Sequence, residues 1–178
     1  MSLRLRLISH ARTDAQRFGR FPLDEALSGE DARELAQLAQ RLGRPQRLYV
    51  GPELRCWQTA QAWGQAADVQ SALRDCAYGA WAGKRLEEIE AGALGTWLGD
   101  AATPPPQGES FAELLRRVAD WLDALQGDGR IVAISHPPVL RAALLHVLGL
   151  GAEAASRIDI DALSVLDLSF NGRWRLRL

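Results

Sequence analysis

Leu3-Arg4-Leu5-Arg6-Leu7-Ile8-Ser9-His10 and Ile131-Val132-Ala133-Ile134-Ser135-His136 are apolar runs that end on the same Ser-His pair. Leucine at every second position from Leu3 to Leu7 is the period of a strand with one buried face. Ile131 to Ile134 is apolar without alternation, as in strands covered on both faces inside a parallel sheet. Open α/β sheets gather their chemistry at the carboxyl ends of strands. The chain has three histidines. Two of them close these runs, which points to one shared site assembled from distant segments.

Strand and helix patterns alternate through the rest of the chain. Leu35, Leu38, Ala39 and Leu42 recur at helical spacing, so a helix is expected over roughly 30–42, ended by Gly43. Leu48-Tyr49-Val50 reads as a short strand. Gly51-Pro52 is expected to open a helix with proline in its first turn, carrying Leu54, Trp57, Ala60 and Ala67. Val69 to Leu73 reads as extended. Residues 74–109 read as an irregular loop over the site, with helical turns near 86–99 and a close at Pro104-Pro105-Pro106. Ser110 and Glu113 form a capping box. The helix they start carries Phe111, Leu114, Leu115, Val118, Trp121, Leu122 and Leu125 on one stripe, up to Gly127 and Gly129. Pro137-Pro138 opens a helix that runs to Leu148-Gly149. Asn171-Gly172 joins Leu163–Phe170 to an alternating tail as a hairpin. The pattern predicts one α/β domain over 1–178, a mostly parallel sheet with an antiparallel edge strand.

The 178 residues suffice for one full core. Apolar residues make up 47% and charged residues 24%, and the formal net charge is −1. That balance gives no general pull toward nucleic acid or an anionic membrane, so any anion site must be local. All but one of the 21 basic residues are arginine, the exception being Lys84. Cys56 and Cys76 make no metal-ligand spacing and are expected to be reduced thiols in a cytoplasmic protein. Charge alternates with leucine from Met1 to Leu7, which is unlike the unbroken apolar core of a signal peptide. No stretch is apolar enough to span a bilayer.

Three segments carry chemistry. Ser9-His10-Ala11-Arg12-Thr13, followed by Gln16, sets an imidazole beside a cation and neutral donors, a grouping suited to holding an anion next to a nitrogen nucleophile. Arg55 falls in the first turn of a helix, unfavourable for the helix dipole unless an anion shares that end. Proline after His136 places that imidazole at the cap of the next helix, beside a positive dipole end.

Five segments, in order, resemble the histidine phosphatase superfamily, also called phosphoglycerate mutase-like. The family's Arg-His-Gly-Glu-Thr corresponds to Ser9-His10-Ala11-Arg12-Thr13. Its Ser-Pro-Leu-x-Arg-x-x-Gln-Thr-Ala corresponds to Gly51-Pro52-Glu53-Leu54-Arg55-Cys56-Trp57-Gln58-Thr59-Ala60. Its Glu-x-x-Phe-Gly-x-Trp-Glu-Gly corresponds to Asp75-Cys76-Ala77-Tyr78-Gly79-Ala80-Trp81-Ala82-Gly83. Pro106-Gln107-Gly108-Glu109-Ser110 and Ser135-His136-Pro137-Pro138 complete the series. The resemblance implies a three-layer α/β/α sandwich and a small phosphatase that acts on a phosphorylated small molecule. By the same resemblance His10 is the nucleophile that becomes a phosphohistidine, Arg55 grips the phosphate, and His136 stabilises charge on the transferring group. Asp75 is the acid and Gln16 touches phosphate. Ser9, Arg12 and Thr13 complete the phosphate-binding set, and no metal or other cofactor is called for. Among short members, α-ribazole phosphatase and broad-specificity phosphomonoesterases are closest in layout. The length favours hydrolysis over mutase-type transfer.

The departures concentrate at the site. Ser9 stands where the family has arginine, and losing such a charge-assisted hydrogen bond costs about 1.5–3 kcal/mol. Arg12 is the expected source of the missing charge. Ala11 replaces a glycine, Asp75 a longer glutamate, and Pro137-Pro138 two glycines with their N–H donors. These changes leave a non-catalytic, ligand-binding member of the same fold as the alternative. Other residues are read as structural: His146 as packing or surface; Trp57, Trp63, Trp97, Trp121 and Trp174 as core; Arg17, Arg20 and Arg85 as solvated loop residues. Tyr78 and Trp81 are expected to line the pocket.

Overall fold

The two apolar runs become neighbouring strands in register. A computed structural model describes residues 3–178; Met1 and Ser2, the start of the charge–leucine alternation, lie outside the described residues. Strand β1 (Leu3–Ser9) pairs in parallel with β4 (Gly129–Ser135), from Leu3 opposite Gly129 to Ser9 opposite Ser135. Strand β2 (Arg47–Val50) lies on the other side of β4, and the two-residue β3 (Asp68–Val69) forms that edge. Strand β5 (Val165–Phe170) runs antiparallel to β1, and β6 (Trp174–Arg177) returns beside it through the Asn171-Gly172 turn. The sheet order is β3-β2-β4-β1-β5-β6.

Alternation along the strands sorts the core into two layers. Leu3, Leu5, Leu7, Ile131 and Ala133 face one way, with Leu166 and Leu168. They pack against α5 (Phe111–Ala124) through Leu114, Val118 and Leu122, and against α6 (Pro137–Leu148) through Val139, Leu140 and Ala143. Ile8, Leu48, Val50, Val132 and Ile134 face the other way. They meet α2 (Ala32–Leu42) through Leu35, Leu38 and Ala39, and α3 (Leu54–Ala60) through Cys56 and Ala60. Helices on both faces make the three layers, with every parallel strand ending at one rim. Short α1 (Asp14–Arg17) follows β1, and α4 (Ala91–Gly99) lies within the insert.

Local rules explain most of the boundaries. Ser110 Oγ accepts the Glu113 N–H at 3.2 Å and the Glu113 carboxylate accepts the Ser110 N–H at 2.8 Å, the capping box read from sequence. Gly149 ends α6 in the left-handed conformation, at φ 66°, that glycine adopts without steric cost. Three expectations need correction. Pro52 is not in the first turn of α3: Glu53 is the N-cap, and Asp24 Oδ1 from a distant loop accepts the Leu54 N–H at 2.8 Å. That helix stops at Ala60 and tightens into a 3₁₀ turn over Gln61–Trp63, so Ala67 lies beyond it. Only Asp68–Val69 of the expected extended piece is a strand, because Ser71–Leu73 turns to bring Leu73 under the site.

The insert has its own small core. Phe21, Trp81 and Ile89 are buried together, with Tyr78, Leu94 and Trp97 against them. The Phe21 N–H donates to Lys84 O and the Gly83 N–H to Phe21 O, which fastens the loop after β1 to the insert. Trp63, Trp121 and Trp174 are core as expected, whereas Trp57 is exposed. Among the described residues, no helix is long and apolar enough to cross a membrane.

Candidate functional site

Register alone brings the two Ser-His endings together. With Ser9 opposite Ser135, the His10 N–H donates to Ser135 O at 2.9 Å. The imidazoles of His10 and His136 face each other edge to face, with ring centroids 5.2 Å apart. Both residues are buried. Strand β2 ends alongside, and the chain turns through Gly51 into α3, whose first turn delivers Arg55.

His10 is held in one tautomer. Its Nδ1 lies 2.7 Å from Ala11 O. A carbonyl only accepts, so Nδ1 carries the proton and Nε2 keeps its lone pair. Burial, and then the neighbouring His136, pushes the His10 pKa down to about 3, so the ring is neutral at physiological pH.

Arg55 is among the largest fully buried side chains. One terminal nitrogen donates to Leu23 O at 2.9 Å and the other to Asp75 Oδ2 at 2.6 Å. Asp75 Oδ1 accepts the N–H of Cys76 at 2.8 Å. The Gln-Thr part of the motif fastens α3 in place. Thr59 Oγ1 accepts the Ala11 N–H at 3.1 Å and donates to Arg55 O, and Gln58 Oε1 accepts the Leu27 N–H at 2.8 Å.

His136 Nδ1 lies 3.4 Å from Asp75 Oδ2, and its Nε2 lies 2.7 Å from Glu53 Oε2. Glu53 also accepts the Asp75 N–H at 2.9 Å. Burial alone would raise the Glu53 pKa, but the hydrogen bond and charge of His136 outweigh it and hold the carboxyl down at about 2. Glu53 is the residue that reading by sequence missed. It stands where the family pattern has leucine, and that mismatch was its only signal. Arg55 Nε, His136 Nδ1 and Ser9 Oγ are buried here without a hydrogen-bond partner, a state shared elsewhere among the described residues by Nε1 of Trp63 and of Trp174.

His10, Arg55, Asp75 and His136 are thus brought together. Ser9 is fully buried beside them in β1. Arg12 is directed elsewhere: its guanidinium pairs with buried Asp31 at 3.1 Å, and its own N–H donates to the same carboxylate. The Thr13 N–H donates to Gln16 Oε1 at 3.2 Å, so this pair caps α1. Arg17, Arg20 and Arg85 pair with Glu30, Glu25 and Glu87. His146 sits at the surface against Asp123. Both cysteines are free and buried.

The cluster combines a neutral imidazole with a free lone pair, a buried guanidinium, a second imidazole and a carboxylate. Such a group can bind a phosphate and exchange a proton with its ester oxygen. The fold is that of known phosphatases. A phosphoserine phosphatase from Entamoeba histolytica, a histidine-to-alanine mutant in complex with phosphoserine, superposes with TM-score 0.88 at 21% identity, over 98% of this chain and 94% of that one. A mycobacterial glucosyl-3-phosphoglycerate phosphatase complexed with VO3 gives 0.85 at 26% identity, over 99% and 98%. A candidate α-ribazole-5'-P phosphatase from Escherichia coli gives 0.86 at 22%, over 99% and 95%. A bifunctional protein of Mycobacterium tuberculosis is 26% identical over 98% of this chain; the chain spans 53% of that protein's length. The family model of the histidine phosphatase superfamily (branch 1) matches residues 5–178. The chain belongs to that superfamily.

Proposed function

We propose that the protein hydrolyses a small-molecule phosphomonoester through a phosphohistidine on His10. The observation that carries this reading is the state of His10: Nδ1–H is tied to Ala11 O, burial keeps the ring neutral, and the free Nε2 lies in the same cluster as Arg55. Nε2 attacks phosphorus in line with the ester oxygen. The P–O bond breaks as Asp75 gives its proton to the departing alkoxide. Arg55 and His136 balance the charge on the equatorial oxygens. Water then attacks the phosphohistidine, Asp75 takes its proton, the P–N bond breaks, and inorganic phosphate leaves. Thr13 and Gln16, at the head of α1 in the loop that follows His10, would supply neutral donors to the substrate on this reading.

Incubation with a generic aryl phosphate, with and without chelator, tests the reading. Turnover that resists the chelator and disappears in His10→Ala is the expected result, along with an acid-labile phosphoenzyme. Ser9, buried where the family carries arginine, favours a second reading: a ligand-binding member without turnover. Vanadate binding with no phosphoenzyme across a panel of phosphate esters would establish that second reading.

A further inference from the structure

His136 Nε2 has two neighbours for one proton or lone pair. Glu53 Oε2 lies 2.7 Å away and Cys56 Sγ 3.3 Å away. The three atoms all lie within 4.8 Å of one another, on the edge of the imidazole away from Nδ1. Neutral hydrogen bonding satisfies only one of these contacts well. We propose that Glu53, Cys56 and His136 form a binding site for a divalent ion of the zinc class.

Thiolate, imidazole and carboxylate are the donors such an ion prefers. In a tetrahedral site the donor atoms stand about 3.3–3.6 Å apart, given bonds of about 2.0–2.1 Å to nitrogen and oxygen and about 2.3 Å to sulfur. The sulfur–nitrogen pair, at 3.3 Å, is within about 0.3 Å of its spacing in such a site. Glu53 has to withdraw by about 0.6 Å to reach the tetrahedral range. Its side chain is the exposed member of the three, at 17% against 0% for His136, so it is the one free to move and the one that opens a path to solvent. Gly51 keeps the donor atoms clear. A Cβ there would stand 2.8 Å from Leu73 O, 3.1 Å from Glu53 Oε2 and 3.3 Å from His136 Nε2, so a side chain at this position would crowd two of the three donors. The family pattern has serine at position 51 and leucine at 53, so the site arises from two departures of this chain.

Charge and protons balance. The ion meets one carboxylate and one thiolate, which neutralise it in a buried position. The imidazole proton resides on Nδ1 when Nε2 gives its lone pair to the metal, and the Cys56 thiol proton passes to solvent. Binding therefore tightens as pH rises. The ion takes only Nε2 of His136, so the binding does not rest on the phosphatase reading.

Cobalt(II) titration of the full chain tests the site without any phosphatase assay. A thiolate-to-cobalt charge-transfer band with a one-equivalent end point is expected, bleached by Zn²⁺. The band is lost in Cys56→Ser and Cys56→Ala and kept in Cys76→Ala. Glu53→Gln weakens binding by about tenfold or more. Histidine side-chain nitrogen NMR of the unmutated protein gives a second readout: Zn²⁺ shifts His136 Nε2 and leaves His146 in place. Absence of the band in the unmutated protein, its persistence in folded Cys56→Ala, or a response at His146 in place of His136 would overturn the proposal.

Discussion

Two largely buried arginines, Arg117 and Arg55, stand in opposite states. Arg117 holds Glu109 through Nε at 2.9 Å and a terminal nitrogen at 2.7 Å, while its other terminal nitrogen donates to Ala72 O at 2.6 Å and Arg74 O at 3.2 Å. Every part of its donor fork is used. Arg55, more deeply buried, spends its terminal nitrogens on Leu23 O and Asp75 and leaves Nε without a partner. A buried unpaired donor costs about 1–3 kcal/mol, so a guanidinium kept in that state is costly as architecture and useful as an anion clamp. Arg117 staples the start of α5 to the chain leading into Asp75. Arg55 faces the cluster that this staple positions.

The comparison breaks or sharpens on substitution. Arg117→Ala leaves the Glu109 carboxylate with Arg74 alone, at 3.0 Å, and a loss of about 1–3 kcal/mol is expected in urea unfolding, with a smaller change in kcat/KM of the folded fraction than Arg55→Ala gives. Arg55→Ala is expected to do the reverse, lowering kcat/KM on an aryl phosphate about 10²–10³-fold with a smaller loss of stability. Equal stability losses with equal activity losses would erase the distinction between staple and clamp.

Asp75 links the two regions, since its backbone lies against Arg117 and its carboxylate meets Arg55. On the proposed mechanism Asp75→Asn removes the proton donor, so alkyl phosphates should slow by about 10²–10⁴-fold and nitrophenyl phosphate, with its better leaving group, by much less. A uniform loss across leaving groups would assign Asp75 to positioning alone.

His10 contributes a pH signature. Its folded pKa of about 3 lies below the ordinary 6.5, so the unfolded chain binds more protons between those values. Stability is therefore full above pH 6.5 and falls as the pH drops toward 3, by roughly 4–5 kcal/mol over the window. Glu53, held at about 2 against its ordinary 4.5, adds its own loss only at the acid end. His10→Ala should flatten the urea midpoint between pH 6.5 and 4.5; an unchanged slope there would show that His10 is not held neutral by burial.

The smallest effect concerns Arg12. Paired with Asp31 and more than half exposed, it is placed to hold the loop after β1. Arg12→Ala is then expected to change kcat/KM by no more than about threefold, as for a rim charge pair, matching the exposed Arg33→Ala. A much larger loss at Arg12 would mean that it turns to phosphate when substrate arrives, and would restore the compensation for Ser9 expected from sequence.

The legibility of this chain followed the range of the interactions involved. Strand periodicity, the Ser110–Glu113 box, proline after His136 and glycine at 149 are local, and each appears as read. The start of α3 was misread because its cap comes from Asp24, which no local pattern discloses. Glu53 and Cys56 escaped for the same reason, their partner His136 being far along the chain.

By itself the sequence determined the alternation of strands and helices, the family, and the candidate group His10, Arg55, Asp75 and His136. These follow from residue type and short-range spacing, which covalent connectivity carries. Only the tertiary structure decided which charges face the site and which are consumed elsewhere. It turned Arg12 toward Asp31, gave Arg117 a full set of partners and left Arg55 without one, and set Glu53 and Cys56 against one nitrogen of His136. The physical reason is that hydrogen bonds and ion pairs depend on the distance and direction between side chains, and here parallel strand register and helix packing set both.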